Sequence, residues 1–226
     1  MEAIGLIAAQ VRTCESAGGE FLCCPEAVLG GLADYSSRPA EIAIHVESGR
    51  LQSVLRPIAS TSVTTIVGFT ESGPNGEIFN SAAVFSRGGV VGVYRKMHPA
   101  INRSVYEPGT ATPIFKVDNL AFGVVICRDS TYPDLARRIA SRGATVLFVP
   151  TNNALSPMKA GTDVVEDARR TDRSLATENG VWVIRADVAG QVDGLKSYGA
   201  SSIVDGNGFT RRAAKQLEPD LLVAEI

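Results

Sequence analysis

The chain has 226 residues, of which 45% are hydrophobic and 20% charged, a balance that suits one soluble domain with a sizeable core. Its 22 Lys and Arg against 24 Asp and Glu leave a formal charge of −2, so no basic surface for nucleic acid or anionic lipid is expected and small molecules are the expected partners. No apolar run approaches the roughly 18 residues of a membrane span, and acidic Glu2 stands where a signal peptide carries positive charge, so a cytoplasmic protein is expected.

Residues 1 to 18 read as a helix with Ile4, Ile7, Ala8 and Val11 on one face, stopped by Gly18 and Gly19. "EFLCCPE" reads as a short buried strand ended by Pro25. "ESGRLQSVLRPIAST" predicts a helix shortened or bent by Pro57, and "VTTIVGFTE" is β-branched enough for a strand. "IFNSAAVFSRGGVVGVYRK" predicts a hairpin turning at Arg87-Gly88-Gly89. From Met97 to Pro113 the prolines and the lack of periodicity predict a long loop that covers something. "PIFKVDNLAFGVVIC" reads as a strand pair, "PDLARRIASRG" as a helix and "ATVLFVP" as a strand. "TDVVEDARRTDRSLATENG" follows as a long helix, "VWVIRADV" as a strand, and "YGASSIVDG" and "LLVAEI" are expected to finish the sheet. There is no tandem repeat and no linker, so a single mixed α/β domain over residues 1–226 is predicted, with two packed sheets or one large one.

Three polar residues end apolar runs: Glu26 after "FLCCP", Lys96 after "VVGVY" and Cys127 after "FGVVI". Strand ends are where α/β folds gather reactive groups, because the backbone is rigid there and the side chain can reach a cleft. A free thiol with a pKa near about 8.5 is only a few per cent thiolate at neutral pH, so a nucleophilic cysteine needs a base or a cation. Glu26 can take the proton, and Lys96 can steady the thiolate and then an oxyanion. The spacing alone points to a cysteine hydrolase or transferase. The only two histidines, His45 and His98, lack any H-x-x-x-H or C-x-x-C companion, which argues against a zinc site.

"CCPEAVLGG", "VYRKMHP" and "GVVICRDSTYPDLAR", in that order, resemble the three signature segments of the nitrilase superfamily, the carbon–nitrogen hydrolases. The resemblance extends through "FVPTNNA", "LATENGVWVIRADVAG" and "SYGASSIVDGNG", covering roughly residues 18 to 206. It implies a four-layer αββα sandwich, with Glu26 as general base, Lys96 as oxyanion stabiliser and Cys127 as nucleophile. It further implies a covalent thioester or thioimidate, no cofactor, and a homodimer or higher homo-oligomer built through the outer helices. By the same resemblance the backbone N–H of Arg128 joins Lys96 in the oxyanion hole, and Tyr132, Asn152 and Asn153 fall where the family lines its pocket. Asparagines at a strand end are equally ordinary turn residues, so a pocket role and a turn role both stand for Asn152 and Asn153.

Two features depart from the family pattern. Members commonly carry a second glutamate six residues before the Pro of the loop's "PG"; counting back from Pro108 gives Asn102, which can hydrogen-bond Lys96 or a substrate but cannot ionise. Glu107 is close by but out of that register. The family also opens with a strand before its first helix, whereas this chain opens inside the helix, so a sheet one strand short is expected, with an edge liable to strand exchange.

Cys23 and Cys24 lack a charged frame and are read as core, at least one of them facing inward; Cys14 is read as an ordinary helix residue. Asp129 is expected to stabilise a turn or cap the helix that starts near Pro133. The functional expectation is hydrolysis of a small amide or N-carbamoyl compound through a Cys127 acyl-enzyme, with glutamine amide hydrolysis also open. A nitrile fits less well, because "NNA" differs from the Trp-containing segment typical of true nitrilases. Asn102 and the short front also admit a catalytically silent family member that binds or assembles, and a soluble acyl acceptor admits transfer.

Overall fold

The computed structural model describes residues 2–155, 163–192 and 194–226. The expected helix positions at Met1 and Thr162 lie outside the described residues. Backbone contacts divide the chain into two compact units, Met1–Ala111 and Thr112–Ile226.

The first unit opens with helix α1 (Glu2–Ser16), which buries Ile7, Val11 and Cys14, one residue per turn along a single stripe. Strand β1 (Phe21–Cys23) follows, then two short helices, α2 (Pro39–Ile42) and α3 (Arg50–Leu55), separated by β2 (Ile44–His45). Pro57 shortens α3 as expected, converting its end into a 3-10 turn at Arg56–Ile58. Strands β3 (Thr64–Ser72), β4 (Ile78–Ser86) and β5 (Gly89–Arg95) complete a sheet ordered β1-β3-β4-β5, with β2 also paired to β3. β1 and β2 run parallel to β3, and the rest is antiparallel. Among the described residues β1 has one strand neighbour. Arg87 and Gly88 turn β4 into β5 with φ of 50° and 77°, the pair of positive values that a two-residue hairpin turn demands.

β3 is buried along nearly its whole length: Ile66, Val67 and Phe69 are all 0% exposed, and Thr64, Thr65, Thr70 and Glu71 are buried with them. Within it, Gly68 makes room for a backbone. Its carbonyl accepts the Leu29 N–H at 3.1 Å, and an added Cβ would run into the Pro25 carbonyl and come within 2.6 Å of the Ala27 nitrogen. The segment carrying Glu26 therefore lies directly against β3.

The second unit begins with the hairpin β6 (Phe115–Val117) and β7 (Leu120–Val124). Helix α4 (Pro133–Ala140), strand β8 (Val146–Thr151), helix α5 (Asp163–Asn179) and strand β9 (Trp182–Asp187) come next. A separate hairpin, β10 (Ala189–Val192) with β11 (Leu195–Tyr198), precedes β12 (Ser202–Val204) and β13 (Thr210–Ala213). The main sheet runs β13-β12-β9-β8-β7-β6, its central β7, β8 and β9 parallel and joined by the helices. Phe122 packs edge-on to Phe148 at 5.2 Å and stacks with Phe115 at 5.6 Å, while α4 buries Leu135, Ala136 and Ile139.

Two expectations are corrected. The final "LLVAEI" forms no strand; the sheet ends instead at Thr210–Ala213, whose polar, exposed residues suit an edge and gave no apolar signal. The β10–β11 hairpin was also not foreseen, because Gly190 and Gly194 punctuate a segment too short and polar to read as strands. Among the described residues no helix is long and apolar enough to cross a membrane.

Two glycine substitutions test this packing in opposite directions. Gly68→Ala should cost about 1–3 kcal/mol, because the new methyl meets backbone that cannot swing aside. Gly5→Ala, on α1 with nothing within 4 Å of the added carbon, should stabilise by about 1 kcal/mol. Thermal melts of the two variants check both signs.

Candidate active site

In the first unit the ends of β1 and β5 bring Glu26 and Lys96 together. Cys24 N–H donates to the Ile66 carbonyl at 2.9 Å, extending β1 as far as the Pro25–Glu26 corner. Lys96 is the residue after β5, and its N–H donates to the Asn80 carbonyl at 2.8 Å. Successive strand residues face opposite ways. Arg95 accordingly pairs with Glu71 at 2.6 Å and lies over the Phe79 ring, while Lys96 Nζ donates to Glu26 Oε1 at 2.5 Å. Lys96 is 3% exposed and Glu26 1%. Burying either charge alone would cost several kcal/mol, so each depends on the other.

A third side chain joins them. Asn80, 2% exposed on β4, donates from Nδ2 to the same Glu26 Oε1 at 2.7 Å. Sequence reasoning missed it; the available signal was a lone amide in the otherwise small and apolar strand "IFNSAAVF". Asn102, expected near Lys96, is exposed on the loop after β5, as is Glu107. Tyr106 anchors that loop. Its hydroxyl accepts the Ala33 N–H at 2.6 Å and shares a 2.9 Å hydrogen bond with Thr70, while the Val105 N–H and Ser104 hydroxyl donate to Asp34. Burial pushes the Tyr106 phenol above its ordinary pKa, so it stays a neutral latch.

In the second unit Cys127 begins a 3-10 turn, Cys127–Thr131, separated from the end of β7 by Val125 and Ile126. Its φ is 46°, a left-handed value uncommon for a residue with a side chain; Ala27, next to Glu26, has 49°. Such conformations cost of order 1–3 kcal/mol and persist only where the surroundings impose them. Asp129, fully buried, stabilises the turn by accepting the Ile126 N–H at 3.4 Å. Cys127 Sγ is within 3.8 Å of Asn153 Oδ1. Asn153 is held in turn by Asp187, which accepts its backbone N–H at 3.3 Å and its Nδ2 at 3.1 Å. With the amide nitrogen committed to Asp187, the oxygen is left facing the thiol. Burial raises the Asp187 carboxyl above its usual pKa; the hydrogen bond from the Ala200 N–H, the Arg185 charge and the Asn153 contacts work against that rise.

Asn152 accepts the Ser197 hydroxyl at 3.1 Å, Tyr132 is half-buried at the end of the turn, and the Arg128 side chain is exposed. Cys24 is buried and Cys23 half-buried, as alternation requires. Burial pushes the Cys24 thiol up to about 12, and also raises Cys14, where Glu15 adds repulsion.

These local features generate two expectations. At pH 8 Cys24 is thiolate in roughly one molecule in ten thousand, so iodoacetamide should leave it unmodified in the native protein and label it in urea, as read by peptide mass spectrometry. Because position 127 is left-handed, Cys127→Gly should melt no lower than Cys127→Ala, although glycine in regular structure ordinarily costs about 0.5–1 kcal/mol relative to alanine.

The family described as Carbon-nitrogen hydrolase matches residues 2–226. A nitrilase from Pyrococcus abyssi is 30% identical over 222 residues, 96% of this chain and 80% of that protein. N-carbamoylputrescine amidase from Solanum tuberosum is 30% identical over 191 residues, 78% of this chain and 62% of the amidase. Among solved structures, a variant of an amidase of the nitrilase superfamily from Nesterenkonia AN1 aligns with a TM-score of 0.81 at 22% identity, covering 97% of this chain and 82% of that one, which shows a shared fold. Since the family match takes in both units and the Pyrococcus relative parallels nearly the whole length, the chain belongs to the carbon–nitrogen hydrolase family and has the fold of the nitrilase superfamily.

Proposed function

We propose that the protein hydrolyses the C–N bond of a small amide or N-carbamoyl compound without a cofactor, through an acyl-enzyme on Cys127. The observation that carries this reading is the buried Glu26–Lys96 pair, a carboxylate and an ammonium 2.5 Å apart behind a family signature that calls for a base and a cation. A surface pair of that kind would be worth little, but one withdrawn from water keeps its full electrostatic effect on a reacting group.

In the proposed reaction the Glu26 carboxylate takes the Cys127 proton and the thiolate attacks the amide carbonyl. The Lys96 ammonium and the Arg128 N–H hold the oxygen as it becomes negative. Glu26 returns its proton to the nitrogen, the C–N bond breaks, ammonia or amine leaves, and a thioester remains. Glu26 then takes a proton from water; the hydroxide displaces the thioester sulfur, releasing the acid and restoring the thiol. The amidase and carbamoyl amidase among the similar proteins support this substrate class. Asn153, whose oxygen faces the thiol, suits an N–H of the substrate.

Ammonia release from a panel of amides, N-carbamoyl amines and nitriles tests the reading. The expected result is turnover of one amide or carbamoyl group and a fall of at least about 10²-fold in Glu26→Gln and Lys96→Ala. Iodoacetamide labelling of Cys127 should decline in the same two variants. No turnover across the panel, with Cys127 labelled no faster than Cys23, would favour the silent binding protein instead.

A further inference from the structure

We infer that the buried Arg185–Asp172 pair aims the Arg128 N–H, acting through the Ser130 hydroxyl. This rests on the proposed oxyanion role of that N–H, and it adds Arg185 and Asp172, which lie outside the three signature segments, as positioning residues.

Arg185 on β9 is 4% exposed and Asp172 on α5 is 0% exposed. The guanidinium Nε donates to both Asp172 oxygens, at 3.1 and 2.9 Å, and Nη2 donates to Asp172 Oδ1 at 2.5 Å. Nη1 donates to Thr151 Oγ1 at 2.7 Å, and Ser202 Oγ donates to Asp172 Oδ2 at 3.0 Å. Burial alone would pull the Arg185 pKa down; the Asp172 charge and its hydrogen bonds outweigh that and raise it, with smaller help from Cys127 and Asp187. The fork is therefore a permanent donor, held in place from four elements of the second unit.

One of its donors is spent on the turn. Arg185 Nη2 donates to Ser130 Oγ at 3.1 Å, and Ser130 Oγ donates to the Cys127 carbonyl at 2.7 Å. A hydroxyl has one hydrogen and guanidinium cannot accept, so the relay runs in one direction only, from Arg185 through Ser130 to the carbonyl. That carbonyl and the Arg128 N–H belong to one peptide group. In a planar trans peptide the two point in opposite directions, so fixing the oxygen fixes the N–H. The relay thereby fixes the orientation of an amide at the start of the 3-10 turn, where Cys127 takes its left-handed φ.

Ser130→Ala removes the single linking atom and is the direct test. Misaiming a donor by about 1 Å costs up to about 10²-fold in rate, so kcat on the amide found above should fall about 10- to 100-fold with KM within threefold. Alkylation of Cys127 by iodoacetamide forms no oxyanion, and it should stay within threefold of wild type. Ser130→Thr, which keeps the hydroxyl, should restore most of the turnover. If Ser130→Ala does not fold, Arg185→Lys carries the same test, because its single ammonium cannot serve Asp172, Thr151 and Ser130 together. Turnover within twofold of wild type would overturn the inference, as would equal losses in turnover and alkylation, since those denote general disorder of the turn. A wild-type protein that turns over nothing overturns the hydrolase reading and this inference together, and is recognised without any variant.

Discussion

A charge removed from water must have a partner, and this requirement organises both units. Glu26 at 1% exposure and Lys96 at 3% are paired with each other, and Asn80 supplies a further hydrogen bond to the same carboxylate oxygen. Asp172 and Arg185 satisfy the same demand with a bidentate contact and hydroxyls on either side. Replacing such a pair with apolar residues of equal volume often stabilises a protein. Its presence therefore argues for a role in geometry or chemistry more than for a role in stability.

Both units also hold a non-glycine residue in left-handed conformation beside a charged group: Ala27 after Glu26, and Cys127 at the start of its turn. The surroundings that maintain these conformations are visible. Around Ala27, Gly68 lets the backbone lie against β3, and the Leu29 N–H bonds to the Gly68 carbonyl. Around Cys127, Asp129 stabilises the turn from within and Ser130 ties its carbonyl to the buried arginine. Strain at these points is offset by bonds made elsewhere, and in return the side chains are carried on a backbone with few alternatives.

Much of the fold was legible because its central strands are apolar on both faces and its helices carry apolar stripes. β7 and β8 stand out as hydrophobic runs and β3 by its β-branched residues, and Arg87-Gly88 announces its hairpin by turn chemistry alone. The two misreadings occurred where that signal fades. β13 is exposed throughout and held by backbone bonds to β12, whereas "LLVAEI" is apolar but pairs with no strand among the described residues. Local hydrophobicity does not report whether a pairing partner is present.

For the candidate site, the sequence alone determined the chemical types and their order: a glutamate, a lysine and a cysteine, each at the end of an apolar run, within a pattern that matches one family along the chain. It also carried an unread signal, since Arg185 and Asp187 alternate in phase with buried Val183, and Asp172 lies on the same helix face as Val165, Leu175 and Ala176. Charges in those phases must be buried, but periodicity cannot say what neutralises them. Only the tertiary structure decided that Asn80 reaches Glu26, that Asp187 turns the Asn153 oxygen toward the thiol, and that Arg185 bonds to the turn that Cys127 begins. These are hydrogen bonds across 26 to 55 positions of chain, with energies that depend on direction and distance. A linear pattern specifies which groups are available, and packing in three dimensions selects the ones that meet.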